Sequence, residues 1–350
     1  MQNRRITFVR VPQGLPVPED FSRDAVEVVR PAAGQFLSRT LWLSLDPYLR
    51  NVMKGHALYG VPLKPGDPMH GETIAQVVES LHPQFSAGDF VVVKNGWQEY
   101  ALSDGQGVRK IDPEVAPLST ALGVLGMPGL TGYAGLVYLG EPKPGETVLV
   151  SAATGPVGST VGQVARLVGA RAVGIAGSEE KCRYAVEELG FEACVNYRDG
   201  DLRALLKEAC PAGVDVYFDN VGGDVLAVAL GNLALHARVV LCGMIGAYSM
   251  DAPPPGPFLG PVVAARATIR GLVVYDHIHR LAEMQRVIGK WIRDGRFKYR
   301  EDVTEGLENA PDAFCRLMRG ENFGKALVRV APESACIRPE GRVRSAVPGE

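Results

Sequence analysis

At 350 residues the chain is longer than one hydrophobic core usually fills, so two domains are expected. Its 37 basic and 39 acidic residues leave a net charge of −2, which supplies no general pull towards nucleic acid or an anionic membrane. The first ten residues lack an apolar signal core, and no apolar run is long enough to span a bilayer.

Six scattered cysteines without a CxxC pair fit neither a disulfide framework nor a zinc ribbon. A reduced, cytoplasmic setting is therefore expected. In chain order, residues 26–29, 40–45, 73–78 and 90–93 read as strands, separated by turn clusters at 64–68 and 87–89. Few helical periods intervene, which predicts an antiparallel β-rich domain over the first 115 or so residues. The pattern changes near residue 145. Short valine-rich runs at 147–153, 172–176, 193–197, 214–220, 239–243 and 269–275 alternate with amphipathic stretches at 159–168, 179–189, 202–210 and 225–235. That alternation predicts a parallel sheet covered on both faces, the doubly wound α/β arrangement. A helix is expected over 278–293, ended by Gly295. Residues 299–330 turn mixed and close on a strand at 325–330, expected to fold back onto the first domain. The tail 331–350 carries prolines and charges without periodicity and is expected to be mobile.

The most informative segment is the turn Ala153-Thr-Gly155-Pro-Val-Gly158 between the first valine-rich strand and a helix. Gly155 would let the backbone approach a pyrophosphate, and Gly158 would let helix and strand pack closely. Pro156 and Val157 complete the helix start, whose free N–H groups and dipole favour an anion. NAD-binding folds usually place an acid at the end of the second strand; here that place holds Gly177, followed by Ser178 and Lys181. The missing carboxylate and the added ammonium suit a 2′-phosphate, so NADP is the expected cofactor. Tyr197, at the third strand's end, could add a hydroxyl or cover the adenine. A solvated lysine on a helix face is the plain alternative for Lys181. No P-loop, G-x-S-x-G or H-E-x-x-H pattern occurs.

The runs Leu45-Asp-Pro-Tyr-Leu-Arg50, Gly126-Met-Pro-Gly-Leu-Thr-Gly-Tyr133, Ala152-Ala-Thr-Gly-Pro-Val-Gly-Ser159, Gly162-Gln-Val-Ala165 and Phe218-Asp-Asn-Val-Gly-Gly223 resemble the zinc-independent medium-chain dehydrogenase/reductase superfamily. Within it they are most similar to the leukotriene B4 12-hydroxydehydrogenase/prostaglandin reductase group, which includes curcumin-reductase-like enzymes. The resemblance spans about residues 5–330. It implies a discontinuous GroES-like catalytic domain (1–120 and 297–330), a Rossmann domain (121–296) and NADPH in the cleft between them. It also implies a homodimer that reduces the C=C bond of small apolar enones or enals. By motif, the implied cofactor contacts are Gly155 to Gly158, Ser178, Lys181, Tyr197, Asn220, Cys242, Gly243, Met244, Tyr248, Leu272, Val273, Val274, Tyr275 and Asn322.

Zinc alcohol dehydrogenases carry G-H-E where this chain has His70-Gly-Glu72, but zinc needs three side-chain ligands and no cysteine precedes Cys182. No metal is expected: His70 reads as a packed histidine, and His277 and His279 as local polar residues. Without a metal, charge developing on an enone oxygen needs a hydrogen-bond donor. The resemblance assigns this role to Tyr248; lining the pocket is the alternative. Tyr48 could present a second hydroxyl to substrate or simply pack at the domain junction. The stiff loop 253–258 could cover an apolar substrate or meet a second subunit. An NADPH:quinone oxidoreductase and a non-catalytic NADP-binding protein on the same fold are the rival readings.

Overall fold

The computed structural model describes residues 1–55, 62–252 and 254–333. The chain opens with β1 (Gln2–Phe8) and β2 (Phe21–Glu27), an antiparallel pair. Next come β3 (Phe36–Ser44), the short α1 (Leu49–Met53), β4 (Thr73–Ser80), β5 (Phe90–Val93), β6 (Tyr100–Ser103) and β7 (Arg109–Ile111). β3 is the spine of this region and is buried along almost its whole length. Its hydroxyls do not go unsatisfied: the buried Asn95 amide donates to Ser38 (3.0 Å) and Thr40 (3.1 Å).

The second region begins with α2 (Met127–Ala134) and continues through β8 (Thr147–Ser151), α3 (Pro156–Leu167), β9 (Arg171–Ala176) and α4 (Glu179–Glu187). It goes on with β10 (Ala193–Asn196), α5 (Leu202–Ala209), β11 (Val214–Asp219), α6 (Gly223–Leu230) and β12 (Leu233–Leu241). Then follow α7 (Ile245–Tyr248), α8 (Gly260–Ala265), β13 (Thr268–Gly271) and α9 (Leu281–Arg293). β8 to β13 form an all-parallel sheet in the order β10-β9-β8-β11-β12-β13. Helices cover its faces, which is why the central strands are apolar throughout rather than alternating. Its order changes direction beside β8, and in such sheets the crevice at that switch point is where ligands bind.

The chain then returns to the first sheet through β14 (Glu301–Glu305), α10 (Ala310–Met318) and β15 (Lys325–Arg329). β15 pairs antiparallel with β3, Leu327 opposite Ser44, and β14 runs parallel beside it. The seven-stranded sheet reads β14-β15-β3-β4-β5-β7, with β6 also on β3. A buried ion pair fixes the return: the Lys325 ammonium donates to Asp46 (2.7 Å) and to the Leu45 carbonyl (2.8 Å).

Three expectations are corrected. Residues 233–235 belong to β12, not to a helix reaching Leu235. α6 ends at Leu230, Asn232 donates instead to the Leu206 and Cys210 carbonyls at the end of α5, and a register shift near His236, at φ +62°, hides the strand's period. The strand expected over 269–275 ends at Gly271, and a 3₁₀ turn from Val274 to Arg280 delays the following helix until Leu281. The tail also begins in order. Val330 and Ala331 donate to the Leu41 carbonyl, and the Trp42 indole donates to Glu333 (2.7 Å). Residues 334–350 lie outside the described residues, as does Pro253 of the 253–258 loop.

Candidate functional site

The site is built on the loops leaving β8, β9, β11 and β12. After β8 the backbone turns sharply, with Ala152 at φ +52° and the Gly155 amide donating to its carbonyl (3.0 Å). A Cβ on Gly158 would stand 2.3 Å from that carbonyl oxygen, so only glycine lets α3 approach the strand this closely. A Cβ on Gly155 would meet only the same oxygen, at 3.3 Å, and otherwise points into open space. Pro156 opens α3, Val157 follows, and no acid sits in the first turn. The helix start is thus a cradle for an anion: its dipole is unopposed and its glycines leave room.

At the end of β9, a Cβ on Gly177 would lie 3.1 Å from the Tyr197 ring and 3.2 Å from its hydroxyl. A carboxylate-bearing side chain there would have to displace that ring. Ser178 caps α4 by accepting the Lys181 amide (3.3 Å). The Lys181 ammonium donates to the Gly320 carbonyl (2.6 Å), which leaves further N–H groups on the same nitrogen. Burial and the Arg198 charge lower its pKa from the usual lysine value. Arg198 itself lies over the Tyr197 ring, 5.6 Å from its centroid. This second cation was missed in the sequence, although it directly follows Tyr197. Asn322 donates to Gly324 (2.9 Å) in the same turn region as Gly320, so α4 and the return segment meet here. Phe323 against Tyr184 at 5.0 Å, with Arg300 over Phe323, closes that contact.

At the end of β11 the organising group is Asp219, also missed. Fully buried, its carboxylate accepts from Ser151 (3.0 Å), Tyr217 (2.7 Å), and the Val221 and Gly222 amides. Ser151 in turn receives the Asn220 amide (2.8 Å), and the Asn220 side chain donates to the Ser151 carbonyl (2.8 Å). These bonds lock the β8 and β11 ends together across the switch point. The quoted Phe218-Asp-Asn motif held the signal, but a lone Asp at a strand end also reads as a turn residue.

From β12, the Cys242 and Gly243 amides both donate to the Asp219 carbonyl (2.8 and 3.1 Å). Burial, with the Asp219 charge second, pushes the Cys242 thiol up to about 12, so it stays neutral. The Met244 amide donates to the Tyr248 hydroxyl oxygen (3.2 Å). A Cβ on Gly243 would come 3.3 Å from that hydroxyl and 3.2 Å from the Asn220 carbonyl, so the phenol sits directly over the switch-point loop. Tyr48 and Tyr248 pack against one apolar cluster of the first region. Burial raises the Tyr48 pKa well above the phenol range, with Asp46, Tyr275 and Glu72 adding to it.

Tyr275 faces the first region too, with the Lys94 ammonium 5.2 Å above its ring. Of the other residues expected from that loop, Val273 precedes the 3₁₀ turn, while the Leu272 and Val274 side chains pack on the core of the parallel-sheet region. His70 is partly buried, which lowers its pKa; His277 stacks on Tyr138 at 6.3 Å, and His279 lies in the 3₁₀ turn. Among the described residues no three His, Cys, Asp or Glu side chains cluster as a metal site. No helix among them is long and apolar enough to cross a membrane.

The family described as the N-terminal domain of oxidoreductase matches residues 4–111, and the one described as zinc-binding dehydrogenase matches 156–290. The NADPH-dependent curcumin reductase of Escherichia coli is 45% identical over 94% of this chain and 97% of its own length. Prostaglandin reductase 1 of Bos taurus is 42% identical over 90% of this chain and 95% of its own. Among solved structures, CurA of Vibrio vulnificus in complex with NADPH superposes with a TM-score of 0.90 at 40% identity, over 94% of this chain and 99% of that one.

Proposed function

The chain belongs to the zinc-independent medium-chain dehydrogenase/reductase superfamily, in its curcumin-reductase-like group, and on that premise we propose that it reduces the C=C bond of α,β-unsaturated ketones and aldehydes with NADPH. The observation that carries the reading is the position of the Tyr248 hydroxyl, which lies beside Gly243 over the switch point that Gly155 and Gly158 open to an anion.

We assign residues 1–120 with 297–330 to the catalytic domain and 121–296 to the cofactor domain, supported by the β15–β3 pairing. The cradle fits the cofactor: Gly155 puts no Cβ into the open space at the helix start, Gly158 lets α3 pack close on the strand, and α3 starts there without an acid. Bound NADPH supplies the hydride. Gly155, Pro156, Val157 and Gly158 hold the pyrophosphate on the helix start, and Lys181 with Ser178 and Tyr197 receives the 2′-phosphate end. Asn220, Gly243, Met244 and the backbone of residues 272–275 line the remainder, and Asn322 closes it from the return segment. Tyr248 donates its hydroxyl proton to the enone oxygen, where negative charge gathers as the β-carbon is reduced. The Met244 amide accepts no such charge itself; it fixes the phenol's oxygen in place. Tyr48, packed against the same apolar cluster, lines the substrate side.

A homodimer is supported by the exposed edge strand β13 and by the apolar surface near it, where Phe258 is 84% and Val263 76% exposed. We place the protein in the cytoplasm, consistent with its free thiols. The test is initial-rate NADPH consumption with a panel of enones, enals and quinones, repeated with NADH. Fast NADPH oxidation with enones supports the proposal. Preference for quinones, or NADH serving equally well, counts against it.

A further inference from the structure

Asp219, at the end of β11, is completely buried, and none of its hydrogen-bond partners carries a charge. The Ser151 oxygen accepts the Asn220 amide (2.8 Å), so the Ser151 hydroxyl proton is left for Asp219 (3.0 Å). The Tyr217 hydroxyl donates at 2.7 Å, and the Val221 and Gly222 amides complete the ring of donors (3.0 and 3.1 Å). Such a ring suits the ionised carboxylate, which only accepts. Neutral donors hold the charge in place, whereas a paired cation would cancel its field at longer range. Two neighbours feel that field. Burial first and the Asp219 charge second push the Cys242 thiol up to about 12 and raise the Tyr217 phenol well above its usual range.

The same residue ties the reacting corner together. Its carbonyl accepts the Cys242 and Gly243 amides, and the Asn220 and Val221 carbonyls accept the Ile245 and Gly246 amides (3.3 and 3.0 Å) at the start of α7. α7 ends on Tyr248, whose hydroxyl lies over Gly243. A hydride can reach an enone held by that hydroxyl only from a nicotinamide ring beside it. The role given to Tyr248 therefore brings the ring to the loop that Asp219 organises.

We propose that Asp219 discriminates between the two redox forms of the cofactor: its buried, unpaired charge holds NADP⁺ more tightly than NADPH and so makes the bound cofactor a stronger hydride donor. The inference rests on the proposed function, through Tyr248. Loss of a hydride, one proton with two electrons, turns a neutral dihydronicotinamide into a cation and leaves the phosphates as they were. Contacts to phosphate and ribose, Lys181 included, meet both forms alike, so only a charge near the ring separates them. Two unit charges about 12 Å apart, at an effective dielectric constant of about 20, interact by about 1.4 kcal/mol, a factor of ten in affinity. A ten-fold preference for NADP⁺ lowers the potential of the bound two-electron couple by about 30 mV.

The Asp219 Oδ1 atom accepts from all four donors, and Oδ2 receives only a second bond from the Gly222 amide (3.0 Å). Asp219→Asn thus keeps the oxygen on which the donors converge and removes the charge. Dissociation constants of NADP⁺ and NADPH are titrated by calorimetry in the full chain and its variants, with thermal unfolding alongside. The preference for NADP⁺ over NADPH should fall about ten-fold or more in Asp219→Asn, chiefly through weaker NADP⁺ binding. Ser151→Ala and Tyr217→Phe each remove a donor and keep the charge, so both forms should weaken together and the preference should hold. Asp219→Ser, smaller and neutral, makes the same comparison should the amide not fold. An unchanged preference in the neutral variant, or an equal fall in the Ser151 and Tyr217 variants, would overturn the proposal and leave Asp219 a structural tie. Failure of either cofactor form to bind the parent protein would instead refute the proposed function beneath it.

Discussion

Tyr248 and Lys181 divide the work at the scale of single residues. In the proposed reaction the phenol stands where charge develops, so its loss should act on the rate. Tyr248→Phe is expected to lower kcat on the order of 100-fold, the usual effect of removing one oxyanion donor, with NADPH affinity nearly unchanged. Stopped-flow turnover with parallel cofactor titration checks this, and an unaltered kcat would reduce Tyr248 to a pocket wall. The proposed role of Lys181 is in binding instead. Lys181→Ala should raise the KM for NADPH by about ten-fold and leave NADH untouched, because only the former carries the extra phosphate. Steady-state kinetics with both cofactors decides it. Gly155, Gly158 and Lys181 were legible in the sequence because turn, helix start and strand end are close neighbours along the chain. Asp219 and Arg198 were not. Asp219 draws its role from Ser151, 68 residues away, and a burial that no local pattern announces. Arg198 gains meaning only once β9 and β10 set it beside Lys181.

Among the elements, the contact between β8 and α3 is the most exposed to test. An added methyl at residue 158 would lie 2.3 Å from the Ala152 carbonyl oxygen, and the facing group is backbone that cannot swing aside. Gly158→Ala should therefore cost about 1–3 kcal/mol of stability, as overpacking does, together with much of the NADPH affinity. Thermal unfolding and fluorescence titration measure both, and a variant with unchanged melting and binding would show that the turn relaxes freely. The central strands β8, β9 and β11 were legible because buried parallel strands read as continuous apolar runs. The start of β12 was not. Leu233-Ala-Leu suits a helix end as well as a strand, and the register shift between its pairings with Val214 and Val216 breaks the period.

For the molecule as a whole, the return of the chain to its first sheet is held by the Lys325–Asp46 pair, 3% and 9% exposed. Lys325→Met would leave a buried carboxylate without its cation, which typically costs about 3–5 kcal/mol. Urea unfolding should register that loss; a midpoint equal to the parent's would mean that Ser44, the other donor to Asp46, suffices. The fold-back of 325–330 was legible as a strand, but its partner was not, since pairing across almost 300 residues leaves no local trace. The proposed reaction depends on both regions, since Tyr248 from one and Tyr48 from the other pack against the same apolar cluster. The most direct test of the account is therefore the fate of the hydride. With NADPH deuterated at the transferred position and an enone acceptor, nuclear magnetic resonance of the product should find deuterium on the β-carbon of a saturated ketone. Deuterium on the carbonyl carbon of an allylic alcohol, or NADPH that binds and is never consumed, would contradict it.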